Sequence, residues 1–519
     1  MLTSTADGDS RLSLWLRVRE FAVPPSMIET ATARRCAGDW AGACAAAGID
    51  VDLSPRSLAH RHGRELADRV RADLRRLAPD LLRWHLPRVA PDGLLRPGLT
   101  LSLARYATAD RDGGPPVHLV VRTPPAWADA GQRISLALWD GAGSDAAAGR
   151  HPHARPHPRF RLDLHRHLWD ASRAHELRTR CGAEQQLADD RPMPTPVPMP
   201  TAPAPDSPAA QVLGLVPPGR RCAVDRWAAE AAILLHAEGH PADGLHPEGH
   251  PAEGHPADAC CARPTGAVSV RLGARHRLVL NLVADEETNQ DGTGRPALRI
   301  ASVSPAADDR TLPVLPDAAT WLLPDQELLR AGLIEPGRLH PLVASALIPD
   351  HAPPGPSSLP SRTGHTGHTG RPRLVECRGA RHRIGLVNGV LAPLDHDPAE
   401  IRREELLAAL SGTPLPCLQA IDQAHRRPDS LTGVRERLDH GDIAGALAVV
   451  EDLLGPDALL RPGALRDELE AAALRRISYG LYRTGLVGPG PDRLPPNPPR
   501  PRDHRSHPRH ALPSQAPSR

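Results

Sequence analysis

Between residues 188 and 212 proline recurs at almost every second position, and it crowds the chain again beyond residue 488. Proline lacks a backbone N–H and fixes φ, so neither a helix interior nor a central strand can run through such stretches. Whatever packs must therefore pack in pieces between them. The 59 prolines and 43 glycines gather in a few places, and Phe, Trp and Tyr supply only 3% of the 519 residues. Cores must then come from Leu, Val and Ala, which predicts small cores joined by mobile segments.

The expected fold class is α+β, with small antiparallel sheets flanked by helices, an all-helical C-terminal end and several long disordered linkers. Residues 1–26 read as disordered or as a start-site extension, because Met27 opens a helical segment after Pro24-Pro25. Residues 27–183 form the first α+β domain, followed by a Pro-rich linker at 184–212. A middle α+β region covers 213–345 and carries a disordered His-rich insertion at 238–265. A linker at 346–371, a C-terminal hairpin plus helical domain at 372–487 and a disordered Pro/Arg-rich tail at 488–519 complete the map.

Local signals fill in these units. Gly38-Asp39 ends one helix and caps the next. Ser54-Pro55 starts an amphipathic helix running to Trp84, whose arginines alternate with Glu65, Asp68 and Asp73 as a solvated ion-pair face. Period-two runs at Leu99–Tyr106, Val117–Arg122, Arg133–Trp139 and Arg159–Leu164 predict an antiparallel meander covered by a helix over His165–Arg180. Further strands are expected at Val268–Leu272, Arg277–Val283 and Ala297–Val303, then a helix between Asp317 and Leu333. Five C-terminal helices follow, the last with Leu465, Leu469, Ala473, Ile477 and Leu481 as an apolar stripe that should pack inward.

Two internal echoes stand out. Gly-Ala-Arg-His-Arg occurs at Gly273–Arg277 and at Gly379–Arg383, each between strand-like runs, as if both were turns of equivalent hairpins. Gly-Asp-Trp-Ala-Gly-Ala at Gly38–Ala43 is matched by Gly-Asp-Ile-Ala-Gly-Ala at Gly441–Ala446. Gly there ends a helix, Asp caps the next, and the small residues allow close packing. The junction resembles those of tetratricopeptide-type helical hairpins over about six residues per copy, without the regular array of roughly 34 residues that family has.

Charge and chemistry exclude more than they select. Every one of the 63 basic residues is an arginine, so reactions that need a lysine amine at the reacting centre are excluded. The formal net charge of +2 provides no global field toward nucleic acid or an anionic membrane. No apolar run approaches a membrane span, and a cytoplasmic location is expected. Cys36, Cys44, Cys181, Cys222, Cys260, Cys261, Cys377 and Cys417 lie far apart without a C-x-x-C pair, unlike a disulfide framework. The sequence holds no G-x-S-x-G elbow, H-E-x-x-H helix or Walker loop.

Histidine, with 27 copies, is the residue that could carry chemistry. His165 and His167 are spaced to share one face of a strand, and Asp163 lies close enough in sequence to complete a divalent-metal site. His240, His246, His250 and His255 read as repeat expansion, and Asp395 and Asp397 flanking His396 as capping or solvated carboxylates. No cofactor is expected, with a divalent metal as the exception. The leading reading is a non-enzymatic protein-interaction or regulatory module whose partner is another protein, with no membrane role. The alternatives are a His/Asp metal-dependent enzyme and a weak, non-specific nucleic-acid binder using the basic C-terminal tail.

Overall fold

The computed structural model describes residues 3–107, 115–128, 132–141, 151–182, 212, 216, 221–239, 266–273, 276–284, 298–305, 311–349, 373–377, 379–387, 390–411, 415–426, 431–454 and 462–486. The expected linkers and the His-rich insertion lie almost wholly outside these residues, and the tail entirely. The described fold is α+β, as expected, with small sheets of two to four strands and a helical C-terminal end.

Six helices and a mixed sheet build the first unit. The helices are α1 (Thr3–Phe21), α2 (Pro25–Cys36), α3 (Trp40–Ala46), α4 (Pro55–His62), α5 (Arg64–Arg76) and α6 (Pro79–His85). Strand β1 (Ile49–Val51) runs parallel to β6 (Ile134–Trp139), while β6, β5 (Val117–Arg122) and β4 (Thr100–Tyr106) form an antiparallel meander in the order β1-β6-β5-β4. A two-stranded ribbon, β2 (Arg88–Val89) and β3 (Leu94–Leu95), lies at its side. One face of β4 and β5 and the inner faces of the helices share a core around Leu74, Leu81, Leu101, Leu103, Leu119 and Trp169.

Several expectations are corrected here. Residues 3–26 belong to the fold. Helix α1 puts Val18 into the first core, followed there by Ala22 and Val23 just beyond its end, and Arg19 donates to both Asp325 oxygens at 2.8 Å. The helix expected from Ser54 to Trp84 is three helices, broken where Gly63 takes φ +85° and where Pro79 starts a new first turn. Arg159–Leu164 is no strand. It follows Pro158 and folds into turns, touching β4 through the single bridge Ser102–Arg161, so the fourth strand is β1 instead. His165–Arg180 is not one helix but two 3₁₀ turns, Arg166–Leu168 and Ala171–Glu176, ending in α7 (Leu177–Arg180). Asp170 caps the second turn by accepting from Ser172 N at 3.0 Å.

The middle region divides between two cores. Helix α8 (Val224–Ala237) packs Trp227, Ala231 and Leu234 against the antiparallel sheet β7 (Gly266–Arg271), β8 (Arg277–Ala284) and β9 (Leu298–Pro305), with Ala319 from α9 (Asp317–Thr320) closing that core. Pro324 then starts a separate helix, α10 (Pro324–Arg330), so the expected Asp317–Leu333 helix is two. Leu328 in α10 and Val343 and Leu347 in α11 (Pro341–Leu347) return to the first core, where His340 also meets Asp80 at 3.0 Å. The linker expected from residue 346 thus begins beyond a buried helix end.

In the C-terminal region β10 (Arg373–Cys377), β11 (Ala380–Val387) and β12 (Val390–Pro393) form a second three-stranded antiparallel sheet. Each Gly-Ala-Arg-His-Arg segment lies at the first hairpin of a three-stranded antiparallel sheet, but the registers differ: Arg271 pairs with Arg277 across the first hairpin, whereas Cys377 pairs with Ala380 across the second. Helices α12 (Pro398–Ser411), α13 (Pro416–Arg426), α14 (Leu431–Asp439), α15 (Ile443–Leu454) and α16 (Ala464–Thr484) follow. The apolar stripe of α16 is only half covered: Leu465 is buried, but Ile477 and Leu481 face outward.

Candidate functional site

The histidines singled out in the sequence do meet. The 3₁₀ turn after Leu164 brings the rings of His165 and His167 to 5.7 Å in an edge-to-face pair, both buried. His165 Nδ1 contacts the Arg161 carbonyl at 3.0 Å, and its Nε2 lies 3.2 Å from Glu230 of α8. Burial pushes the His167 imidazole well below its usual range, and His165 adds to the effect. Asp163 does not join them. Both of its oxygens accept from Arg161, at 2.8–3.0 Å.

The carboxylate beside the histidines is Glu230, and it already has a cation. Arg180 donates to both Glu230 oxygens, at 2.7 and 2.6 Å. Burial alone would raise this carboxyl, yet His165 and Arg180 together hold it far below the usual carboxylate range. A divalent ion placed there would face a fixed guanidinium. The cluster instead joins α8 to the first unit through the Arg180–Glu230 ion pair, with the His165 ring alongside.

Other histidines and carboxylates have structural duties. His151 Nε2 contacts the Thr123 carbonyl at 2.9 Å. Asp397 caps α12 by accepting from Ala399 N at 2.9 Å, as the capping reading expects. Asp50 accepts from the Tyr479 hydroxyl at 2.6 Å and Asp52 pairs with Arg483, so β1 and the residue after it receive the last helix.

A different cluster has the donor chemistry of a metal centre. Cys377 ends β10, His396 follows β12, and Cys417 is the second residue of α13. Their ligating atoms lie within 4.8 Å of one another, and among the described residues no other trio of Cys, His, Asp or Glu does so. Both cysteines are fully buried, beside Leu415 and with Val375 and Leu418 packed around them. Burial, then the neighbouring Cys377, pushes the Cys417 thiol up to about 11. The His396 side chain is 3% exposed; its Nδ1 lies 3.6 Å from Glu400, and its buried Nε2 has no hydrogen-bond partner. The ring stacks on His382 at 4.2 Å. Sequence reasoning missed Cys377 and Cys417 because they are forty positions apart and only the packing of α13 on the sheet brings them together.

The arginines of the basic tail lie outside the described residues, and no helix among those described is long and apolar enough to cross a membrane. Comparison with protein-family models, with curated proteins and with solved structures found no match.

Proposed function

We propose that this chain is a non-enzymatic cytoplasmic interaction protein that presents the outer row of α16 to an amphipathic helix of a partner protein. One observation carries the reading. Leu474, Ile477 and Leu481 are spaced to share one face of α16, and the first two are 63% and 58% exposed. Spacing of this kind matches the anchors by which one amphipathic helix lies against another.

The opposite face of α16 is fixed. Tyr479 bonds Asp50, Arg483 pairs with Asp52, and the Tyr482 ring meets Trp127 edge-on at 5.2 Å. The apolar row is therefore held in place before any partner arrives, which lowers the ordering cost of binding.

The test is a Leu474→Asp/Ile477→Asp double variant. Wild-type protein should co-purify one defined protein in stoichiometric amount, and the purified pair should rebind. The double variant should weaken that rebinding by about tenfold or more while melting normally. Rebinding indifferent to the substitutions contradicts the proposal, as does the lack of any stoichiometric partner. A dimer that the variant converts to monomer would identify the occupant as a second copy and contradict it too.

A further inference from the structure

We propose that Cys377, Cys417 and His396 bind one zinc-class divalent cation that clasps α13 to the β10–β12 sheet. The donor set is two sulfurs and one imidazole, the combination that selects borderline-soft ions over magnesium or calcium. With Zn–S near 2.3 Å and Zn–N near 2.0 Å, ligand atoms of a tetrahedral site stand about 3.5–3.8 Å apart. The trio is already gathered within 4.8 Å, so closing on an ion takes a movement of about 1 Å.

The surroundings supply what such a site needs. His396 Nδ1 faces Glu400 while Nε2 is buried without a partner, the arrangement in which a carboxylate orients an imidazole and leaves its other nitrogen for a metal. Stacking on His382 fixes the plane of the ring. Asp395, whose charge reaches Cys417, is paired with Arg383 at 2.6 Å and is thus excluded as a fourth ligand. That position falls to water. On binding, both thiols lose their protons to solvent, and the two thiolates balance the charge of the ion.

A stability argument points the same way. Among the described residues, one small cluster of Leu415 and the two cysteines, with Val375 and Leu418 partly covered, lies between the C-terminal sheet and α13, and beyond it these elements bury only Ile384 and Ile421. So small a core is the circumstance in which a metal replaces missing apolar burial. The site is independent of the outer row of α16, so either proposal can fail alone.

The experiment is metal analysis of the full-length protein purified under reducing conditions without chelator. About one zinc per chain is expected, retained in His396→Cys and lost in Cys417→Ser and His396→Ala. Deleting residues 239–258, which removes His240, His246, His250 and His255, should leave it bound. Cobalt added to metal-free wild-type protein should give intense thiolate-to-metal absorption in the near ultraviolet, a readout that needs no variant to fold. The proposal is overturned if the reduced protein takes up no metal, if the metal leaves with the 239–258 deletion, or if Cys377 and Cys417 form a disulfide that metal does not prevent.

Discussion

The α2–α3 and α14–α15 hairpins turn the same corner with the same atoms. Gly38 and Gly441 take φ of +78° and +86° after the first helix of each pair. Asp39 then accepts from Gly42 N at 2.8 Å and from Arg34 at 3.0 Å; Asp442 accepts from Gly445 N at 3.0 Å and from Arg437 at 2.8 Å. A Cβ on Gly42 or on Gly445 would collide with the cap carboxylate. The surroundings differ. The Asp39 side chain is 41% exposed at a solvent corner, whereas the Asp442 side chain is 7% exposed. Arg83 donates to the His440 carbonyl at 2.9 Å, and Phe21 stacks on the His440 ring. Six residues thus set the turn, and its neighbours decide whether it is a corner or a docking point.

The largest effect should come from the side of the interface that holds α1. Asp325→Ala strips the buried Arg19 of its carboxylate and Trp84 Nε1 of an acceptor, and breaking a buried pair in this way costs about 4 kcal/mol. Chemical denaturation should show it as a lowered midpoint. An unchanged midpoint would mean that α1 does not belong to the first core.

Next comes the dock itself. Arg83 donates to the carbonyls of Ala22, Gln132 and His440, so Arg83→Leu leaves three buried acceptors short and should cost about 3 kcal/mol. The C-terminal helices should then melt in a separate, earlier transition. A single cooperative transition in the variant would argue that the hairpin does not rely on this contact.

Removing the caps compares the two corners directly. Asp442→Ala loses the cap and unpairs the half-buried Arg437, and should cost about 2 kcal/mol, the upper end for a cap. Asp39→Ala should lower the melting temperature less, because water can replace its carboxylate. Equal losses would erase the distinction drawn between corner and dock.

The smallest effect at neutral pH is one of titration. His440 stands where the first hairpin has Ala37, and burial, aided by Arg88, Arg83 and Arg17, pushes its imidazole down to about 3. Above the unfolded value of 6.5 neither state is protonated and the contribution is complete; as pH falls from 6.5 toward 3 the unfolded chain takes up a proton that the folded one refuses, and stability is lost. His440→Phe should flatten the fall in melting temperature over that window. The same slope in wild type and variant would show that His440 titrates freely.

Much of this was legible locally. Both Gly-Asp turns, the three strands of the first meander and the strands of the middle sheet follow from short patterns of turn residues and alternating apolar side chains. What escaped depends on distant partners. Nothing near Arg19 in the sequence signals its burial, which depends on pairing with Asp325 across most of the chain. Strand β1 is three residues long and is defined by pairing with β6 rather than by any run of its own. The rings of His165 and His167 meet in a 3₁₀ turn rather than along a strand face, and the carboxylate beside them is Glu230 rather than Asp163. Of the Cys377, His396 and Cys417 cluster, only His396 was noticed, since no short motif joins a strand end, a loop and a helix start.

The most direct test of the two-corner comparison is amide hydrogen exchange at Gly42 and Gly445 in the full chain, with and without Arg83→Leu. Both amides donate to a cap carboxylate, so both should exchange slowly in wild type. The substitution should speed Gly445 by about tenfold or more and leave Gly42 nearly unchanged relative to global unfolding. A Gly445 amide that exchanges freely in wild type, or two amides that respond alike to the loss of Arg83, would contradict the assignment of the second turn as a docking point.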